Sequence, residues 1–162
     1  MKATNQESQR LFCTFRLESQ LFGVDILDVK EVTTEMVCTK IAHSPEEVRG
    51  LVNIRGHIHL ALDLRRLLGM PPAPQTEHSR MILFKPTVGS AFGVIVDEIS
   101  EIHAIAATKI EPFSREQHDG LTTQLLRVDL ISFVGKLPEE LLVILNARRF
   151  LRIVETNFAG SN

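Results

Sequence analysis

The sequence contains no tryptophan, no tyrosine, only two cysteines and no surplus of positive charge. Each shortage excludes something. Proteins that hold single-stranded nucleic acid combine a basic groove with aromatic side chains that stack on the bases. A formal net charge of -2, with nine phenylalanines that fall mainly in core-like patterns, does not supply that combination, so no nucleic-acid partner is expected. Cys13 and Cys38 show no Cys-x-x-Cys spacing, which argues against a disulfide framework or a zinc knuckle. No apolar run approaches the roughly 20 residues needed to span a bilayer. The opening MKATNQESQR is polar and lacks the apolar stretch of a secretion signal. There is no Gly-x-Ser-x-Gly elbow and no Walker loop. The expectation is a reduced, cytoplasmic protein with no direct membrane insertion and no cofactor.

What is present is a chain of 162 residues, 44% hydrophobic and 23% charged, which can support a folded core. It states one pattern nearly twice. FGVDILDVKEV, Phe22 to Val32, is echoed by FGVIVDEISEI, Phe92 to Ile102, with Val29 opposite Ile99. Thr39-Lys40-Ile41 is echoed by Thr108-Lys109-Ile110. LALDLRRLL, Leu60 to Leu68, is echoed by VILNARRFL, Val143 to Leu151. Three echoes in the same order imply two homologous halves packed as pseudo-symmetric units, each too small to bury much core alone.

Most segments read as short strands: Phe12–Leu17, Leu21–Ile26, His57–Leu64, Met81–Phe84, Ala91–Val96 and Leu141–Leu145. In His57–Leu64 the alternation places Ile58, Leu60, Leu62 and Leu64 inward and His57, His59, Ala61 and Asp63 outward. Many short strands at close spacing suit sheets closed into small barrels. Helices are few. Ser44-Pro45-Glu46-Glu47 fits a capping box. Asp63 is placed to cap Leu64–Leu68, which Gly69 stops. Asn146 is placed to cap a helix from Ala147 to about Glu155, with Ala147, Phe150, Leu151 and Val154 on its docking face. The proline-rich stretch around Pro71, Pro72 and Pro74 is the joint between the halves.

Few residues carry chemistry. His57 and His59 share a strand face and suit one metal, but a working site needs further ligands and Asp63 is the only same-face candidate. A metal-dependent binding protein or enzyme built on His57 and His59 is therefore the alternative reading, and an outward polar face explains the pair equally well. His43, His78, His103 and His118 fall at loops or strand ends and read as solvated. Asp25-x-x-Asp28 and Asp97-Glu98 are explained by turns and strand ends. A third reading is a β-barrel oligomer that pairs its own strand edges.

The phrase RGLVNIRG, followed by a strand ending in ALDLRRLLG, resembles the bacterial chemotaxis coupling proteins, the CheW-like family. That family's pattern has a G-V-x-N-L-R-G hinge followed by V-I-D-L-R-x-x-L-G. The likeness extends through FGVDILDVKEV, the Ser-Pro turn, FGVIVDEISEI and LLVILNARRFL, nearly the whole chain. It implies a mostly-β fold of two SH3-like five-stranded β-barrels in pseudo-twofold relation, with few short helices and a C-terminal helix. The expected organisation is a single domain over 10–157, with barrel halves near 10–69 and 80–157, a linker at 70–79, and flexible tails at 1–9 and 158–162.

The resemblance also implies a role without catalysis. Such adaptors bridge the cytoplasmic tips of methyl-accepting chemoreceptors to the regulatory domain of a CheA-type histidine kinase, which is built on the same fold. The chain would then be cytoplasmic and recruited to the membrane-associated receptor array. Carried over residue by residue, the receptor face takes Ile26, Val29, Val32 and Ile99 as the apolar lining of a groove between barrels. Gly50, Asn53, Arg55 and Gly56 match the hinge beside it. Glu31 is the expected carboxylate partner of Arg55, in a partly buried pair. The chain departs from the pattern at Leu60, where proline is frequent, and more seriously across Leu121–Lys136.

Overall fold

The computed structural model describes residues 8–116 and 127–159. In chain order they form β1 (Gln9–Leu17), β2 (Gln20–Asp25), a 3-10 turn (Ile26–Asp28), β3 (Val29–Thr33), β4 (Val48–Ile54), β5 (His57–Asp63) and α1 (Leu64–Leu68). After the proline-rich joint come β6 (Arg80–Phe84), β7 (Phe92–Val96), β8 (Glu98–Ala106), β9 (Ile110–Pro112), β10 (Ile131–Lys136), β11 (Leu141–Leu145) and α2 (Phe150–Ala159). The fold is mostly β, with two sheets, short helices and a C-terminal helix.

The sheets have the orders β8-β1-β2-β11-β10-β9 and β3-β6-β7-β5-β4. The first has six strands rather than the expected five. Its extra strand β9 has a counterpart in the second sheet, the lone bridge between Thr39 and Leu51. These are the places of the two Thr-Lys-Ile echoes.

The division at 10–69 and 80–157 does not follow the sheets. β1 and β2 pair with strands from the carboxy-terminal half, and β6 and β7 pair with strands from the amino-terminal half. The physical reason lies in two crossovers. After β2, Ile26–Asp28 carries the chain from the first sheet to the second, and after β7, Asp97 carries it back. Each repeat thus lends its first hairpin to the other's sheet. The exchange preserves the repeat to the residue. Val143 pairs with Phe22 in the parallel β11–β2 ladder, and Leu60 pairs with Phe92 in the parallel β5–β7 ladder. Phe15 stacks on Phe22 with centroids 6.1 Å apart, and Phe84 stacks on Phe92 at 5.1 Å.

Three apolar clusters follow from this topology. Phe12, Leu21, Ile105, Leu142 and Ile144 fill one sheet's interior. Val52, Ile54, Ala61, Met81, Leu83 and Ile95 fill the other's. A larger cluster, with Phe15, Phe22, Phe84, Phe92 and Phe150 at its centre, draws on both sheets and both helices. Each sheet curls until distant strands meet. Ile105 of the edge strand β8 lies within 3.0 Å of a Cβ built on Gly135 of β10, and the β4–β5 turn reaches β3 through Arg55 and Glu31.

Both helices begin as the sequence implies. Asp63 accepts from the Arg66 N–H and caps α1, which ends at Gly69 with φ 83°. Asn146 accepts from the Arg148 N–H at the matching place. Ala147, Phe150 and Val154 are buried in the shared core, with Leu151 packed against it. The C-terminal segment starts as a 3-10 turn and continues as α2 to Ala159, and β1 starts at Gln9, so both tail boundaries shift slightly.

Two local expectations fail. Ser44–Glu47 forms a turn rather than a helix, with the Val48 N–H donating to the Pro45 carbonyl at 3.0 Å. Four residues before a strand leave no room for a helical nucleus to propagate. In β5, Ile58 is exposed while His59, Ala61 and Asp63 are buried. From His59 onward β5 runs between two cores, with Ala61 in its own sheet's interior and Leu62 in the shared cluster, so alternation does not separate inside from outside there.

Candidate functional site

The hinge Asn53-Ile54-Arg55-Gly56 is the tight turn of the β4–β5 hairpin. Ile54 pairs with His57, so the loop has two residues, Arg55 and Gly56. Their φ values are 52° and 88°, the positive pair that a type I′ turn requires and that matches the twist of the flanking strands. Asn53 secures the turn, its Oδ1 accepting from the Gly56 N–H at 2.8 Å. Gly50 has a separate task. With φ 143°, a Cβ there would stand 2.3 Å from the Thr39 carbonyl oxygen, so only glycine admits the strand that bridges to Leu51. Gly50, Asn53 and Gly56 therefore all have structural work at the hinge.

Arg55 does pair with Glu31, as expected. The hydrogen bond holds the Glu31 carboxyl below its ordinary range and pushes the Arg55 guanidinium up. The pair is shielded at one end only: the Glu31 side chain is 28% exposed and the Arg55 side chain 66%, so water screens it from the arginine side. The positive φ lifts the arginine off the end of the hairpin, where its planar fork faces solvent with donors to spare.

Glu31 belongs to β3, the strand that carries Val29 and Val32. Val29 pairs with Phe84 across β3–β6, and Ile99 pairs with Phe15 across β8–β1. Phe15 and Phe84 are matching residues of the repeat, so Val29 and Ile99 hold equivalent places on two edge strands. Together with Ile26 they pack, partly exposed, against the shared core. Val32 lies further out and is exposed. Its repeat mate Ile102 was not singled out from the sequence, although the FGVDILDVKEV echo aligns the two. Ile102 is 61% exposed, and Leu11, on the strand next to it, is exposed as well. Apolar side chains thus run outward from the shared core along two edge strands, Val29 and Val32 on β3 and Ile99 and Ile102 on β8.

Among the described residues the histidines gather no site. His57 is exposed, while the buried His59 places Nδ1 3.1 Å from the His57 carbonyl oxygen. Asp63 is occupied, capping α1 and accepting from Arg49 Nε at 3.1 Å. Among the described residues no three His, Cys, Asp or Glu side chains are grouped to hold a metal ion. His43 and His78 are exposed and His103 is half-buried; His118 lies outside the described residues, as do residues 121–126 of the divergent stretch. Among the described residues, no helix is long and apolar enough to cross a membrane.

A family description for the CheW-like domain matches residues 11–155. The chain belongs to the CheW-like family. It is 32% identical over 112 residues to a probable chemotaxis protein CheW of Rhizobium etli, covering 69% of this chain and 71% of that one. It is 26% identical over 141 residues to the chemotaxis protein CheW of Klebsiella aerogenes, covering 86% and 80%. The fold is similar to the crystal structure of the scaffolding protein TtCheW from Thermoanaerobacter tengcongensis, with a TM-score of 0.76 and 27% identity over 88% of this chain and 92% of that one. As a CheW-type protein, the chain is a non-catalytic scaffold of chemotaxis signal transduction.

Proposed function

We propose that this protein couples the cytoplasmic tips of methyl-accepting chemoreceptors to a CheA-type histidine kinase in the cytoplasm, and that Ile26, Val29, Val32 and Ile99, extended by Ile102, receive the receptor. The observation that carries the reading is the run of apolar side chains along each of β3 and β8, built from matching positions of the repeat and seated on the shared core. A helical hairpin tip presents apolar anchors at helical spacing, and such a surface accepts them. Arg55 stands beside it with a solvent-facing guanidinium, able to take a carboxylate from the receptor while Glu31 keeps it near β3. The kinase's regulatory domain, sharing the fold, would join the adaptor barrel to barrel.

The test is direct mixing. Purified protein, a receptor signalling fragment and the cognate kinase should co-elute from a sizing column as a ternary complex at concentrations above micromolar. Elution as three separate components would count against the reading. Val29→Glu, which places a charge on the apolar lining, should remove the receptor fragment from the complex.

A further inference from the structure

The two crossovers occupy matching places in the repeat, and a matching arginine reaches each of them. Arg65, in α1, corresponds to Arg148, just before α2. Arg65 Nε donates to Asp97 Oδ1 at 2.9 Å, a second hydrogen bond joins Arg65 Nη2 to Asp97 Oδ2, and Arg65 also reaches Glu18 and the Pro71 carbonyl at 3.1 and 3.2 Å. Asp97 in turn accepts from the Glu18 N–H at 2.9 Å. The Arg65 side chain is 11% exposed. At the other crossover, Arg148 meets Asp28 through one contact of 3.3 Å and donates to the Thr87 carbonyl at 3.0 Å, and its side chain is 55% exposed. Glu18 and Thr87 are themselves at matching places, so the two clamps have the same plan. One is a bidentate, shielded fork. The other is one long carboxylate contact and one backbone carbonyl bond from a half-exposed arginine, although Asp28 itself is 17% exposed.

The weaker clamp borders open space. A cavity of about 360 Å³ lies beside it, lined among others by Arg10, Asp25, Leu27, Asp28, Phe133 and Arg148. Leu27 and Asp28 therefore border open space on this side. The turn is held there by the Leu27 N–H donating to Asp25 Oδ1 at 2.9 Å and the Lys85 N–H donating to the Asp28 carbonyl at 3.0 Å, with the Arg148 side chain reaching it from the α2 end. Asp97 is gripped by two hydrogen bonds from Arg65 and one from the Glu18 amide. Ile26 opens the less firmly held segment and Val29 follows it, and Ile99 follows the firmly held one.

We infer that the Ile26–Asp28 crossover is the yielding wall of the receptor surface and that Arg148 is the latch that positions it, while the Asp97 crossover is the fixed wall. This rests on the receptor reading above for its purpose but not for its mechanics. A wall held ready by a latch saves the ordering cost that a loose wall would impose on an incoming helix. Arg148 is a positioning residue, acting through Asp28 on Ile26 and Val29.

Hydrogen exchange on the purified chain alone tests the mechanics. Amides of residues 26–29 should exchange about tenfold faster than those of 96–99. Arg148→Ala should quicken 26–29 by a further factor of about two to five, the range of an exposed ion pair, and leave 96–99 unchanged. Asp28→Asn should have the same effect, the double variant should add nothing further, and Arg148→Lys should restore most of the protection. Equal exchange at the two crossovers, or additive effects of the two substitutions, would overturn the inference. With a receptor signalling fragment, Arg148→Ala should weaken binding by the same factor of about two to five at an unchanged melting temperature; undiminished affinity would overturn it. If the wild-type chain does not bind the fragment, the receptor reading fails, and the exchange comparison still decides whether Arg148 is a latch.

Discussion

Gly23 and Gly93 stand at the same place in the two repeats, each in the parallel pair at the middle of its sheet, yet the space around them differs. A Cβ on Gly93 would lie 2.6 Å from the Ile82 carbonyl oxygen and 2.9 Å from Leu83 Cδ2; on Gly23 its nearest neighbour would be Leu142 Cδ1 at 3.2 Å. Backbone cannot retreat as a leucine methyl can. The register is shared and the packing is not, and the same holds for the crossovers, where one arginine is buried in acceptors and its mate is half in solvent. The duplication supplies a common frame. Divergence within it has made the β3–β6–β7–β5–β4 sheet tighter at its centre and left the entrance to that sheet, at Ile26–Asp28, less constrained.

The largest test of the frame is to break both halves of the shared core. Phe84→Ala and Phe15→Ala should each cost about 3–5 kcal/mol in chemical denaturation, because both rings are fully buried or nearly so and belong to the cluster that joins the sheets. Each should still unfold in one transition. Two separated transitions would mean that the sheets stand independently. Next comes the glycine pair. Gly93→Ala should destabilise by about 1–3 kcal/mol through overpacking and Gly23→Ala by less than about 1 kcal/mol; equal losses would remove the asymmetry.

A smaller effect is expected at the firm clamp. Burial pushes the Asp97 carboxyl up, but the hydrogen bonds from Arg65 and from the Glu18 amide outweigh it and leave it below its ordinary range. The folded state therefore favours the ionised form. Its contribution is fully present above the ordinary carboxylate range near pH 4 and is lost as pH falls through the lowered value. Asp97→Asn should flatten the acid limb of a stability-versus-pH curve, and an unchanged limb would take Asp97 out of the clamp. The smallest effect on stability belongs to Arg55→Gly. Glycine accepts a φ of 52° without strain, so the turn survives and only the guanidinium is lost. Melting should be nearly unchanged while affinity for the receptor fragment drops a few-fold; a drop in both would assign Arg55 to the fold.

Much of this was legible in the sequence for a definite reason. Both strands of the β1–β2 and β6–β7 hairpins, the caps at Asp63 and Asn146 and the echoes of the repeat are set by neighbours within about ten residues, and local patterns record them; β4 and β10, whose apolar residues are interrupted by glycine and polar side chains, were not among the expected strands. The exchange of hairpins is not local. Phe22 meets Val143 across most of the chain, and nothing in FGVD states which sheet it enters. Burial on both faces of β5 is likewise a property of its place between the shared core and its own sheet's interior, which is why His59 was placed outward. Ile102 was within reach, since the echo that aligns Val29 with Ile99 aligns Val32 with Ile102; it was passed over because an exposed isoleucine carries no signal until its neighbours are known. Nothing in the sequence around Arg65 and Arg148 sets them apart, and only the crossovers they touch distinguish them.

The central claim is that one apolar surface on β3 and β8 receives a partner's helix. Titrating a receptor signalling fragment into isotope-labelled protein and following its amide and methyl resonances tests this most directly. The account predicts saturable shifts centred on Ile26, Val29, Val32, Ile99 and Ile102, with little change in the buried interiors around Met81 or Leu142. Shifts confined to another face, such as the exposed side of α2, or no shifts at concentrations where the ternary complex forms, would contradict it.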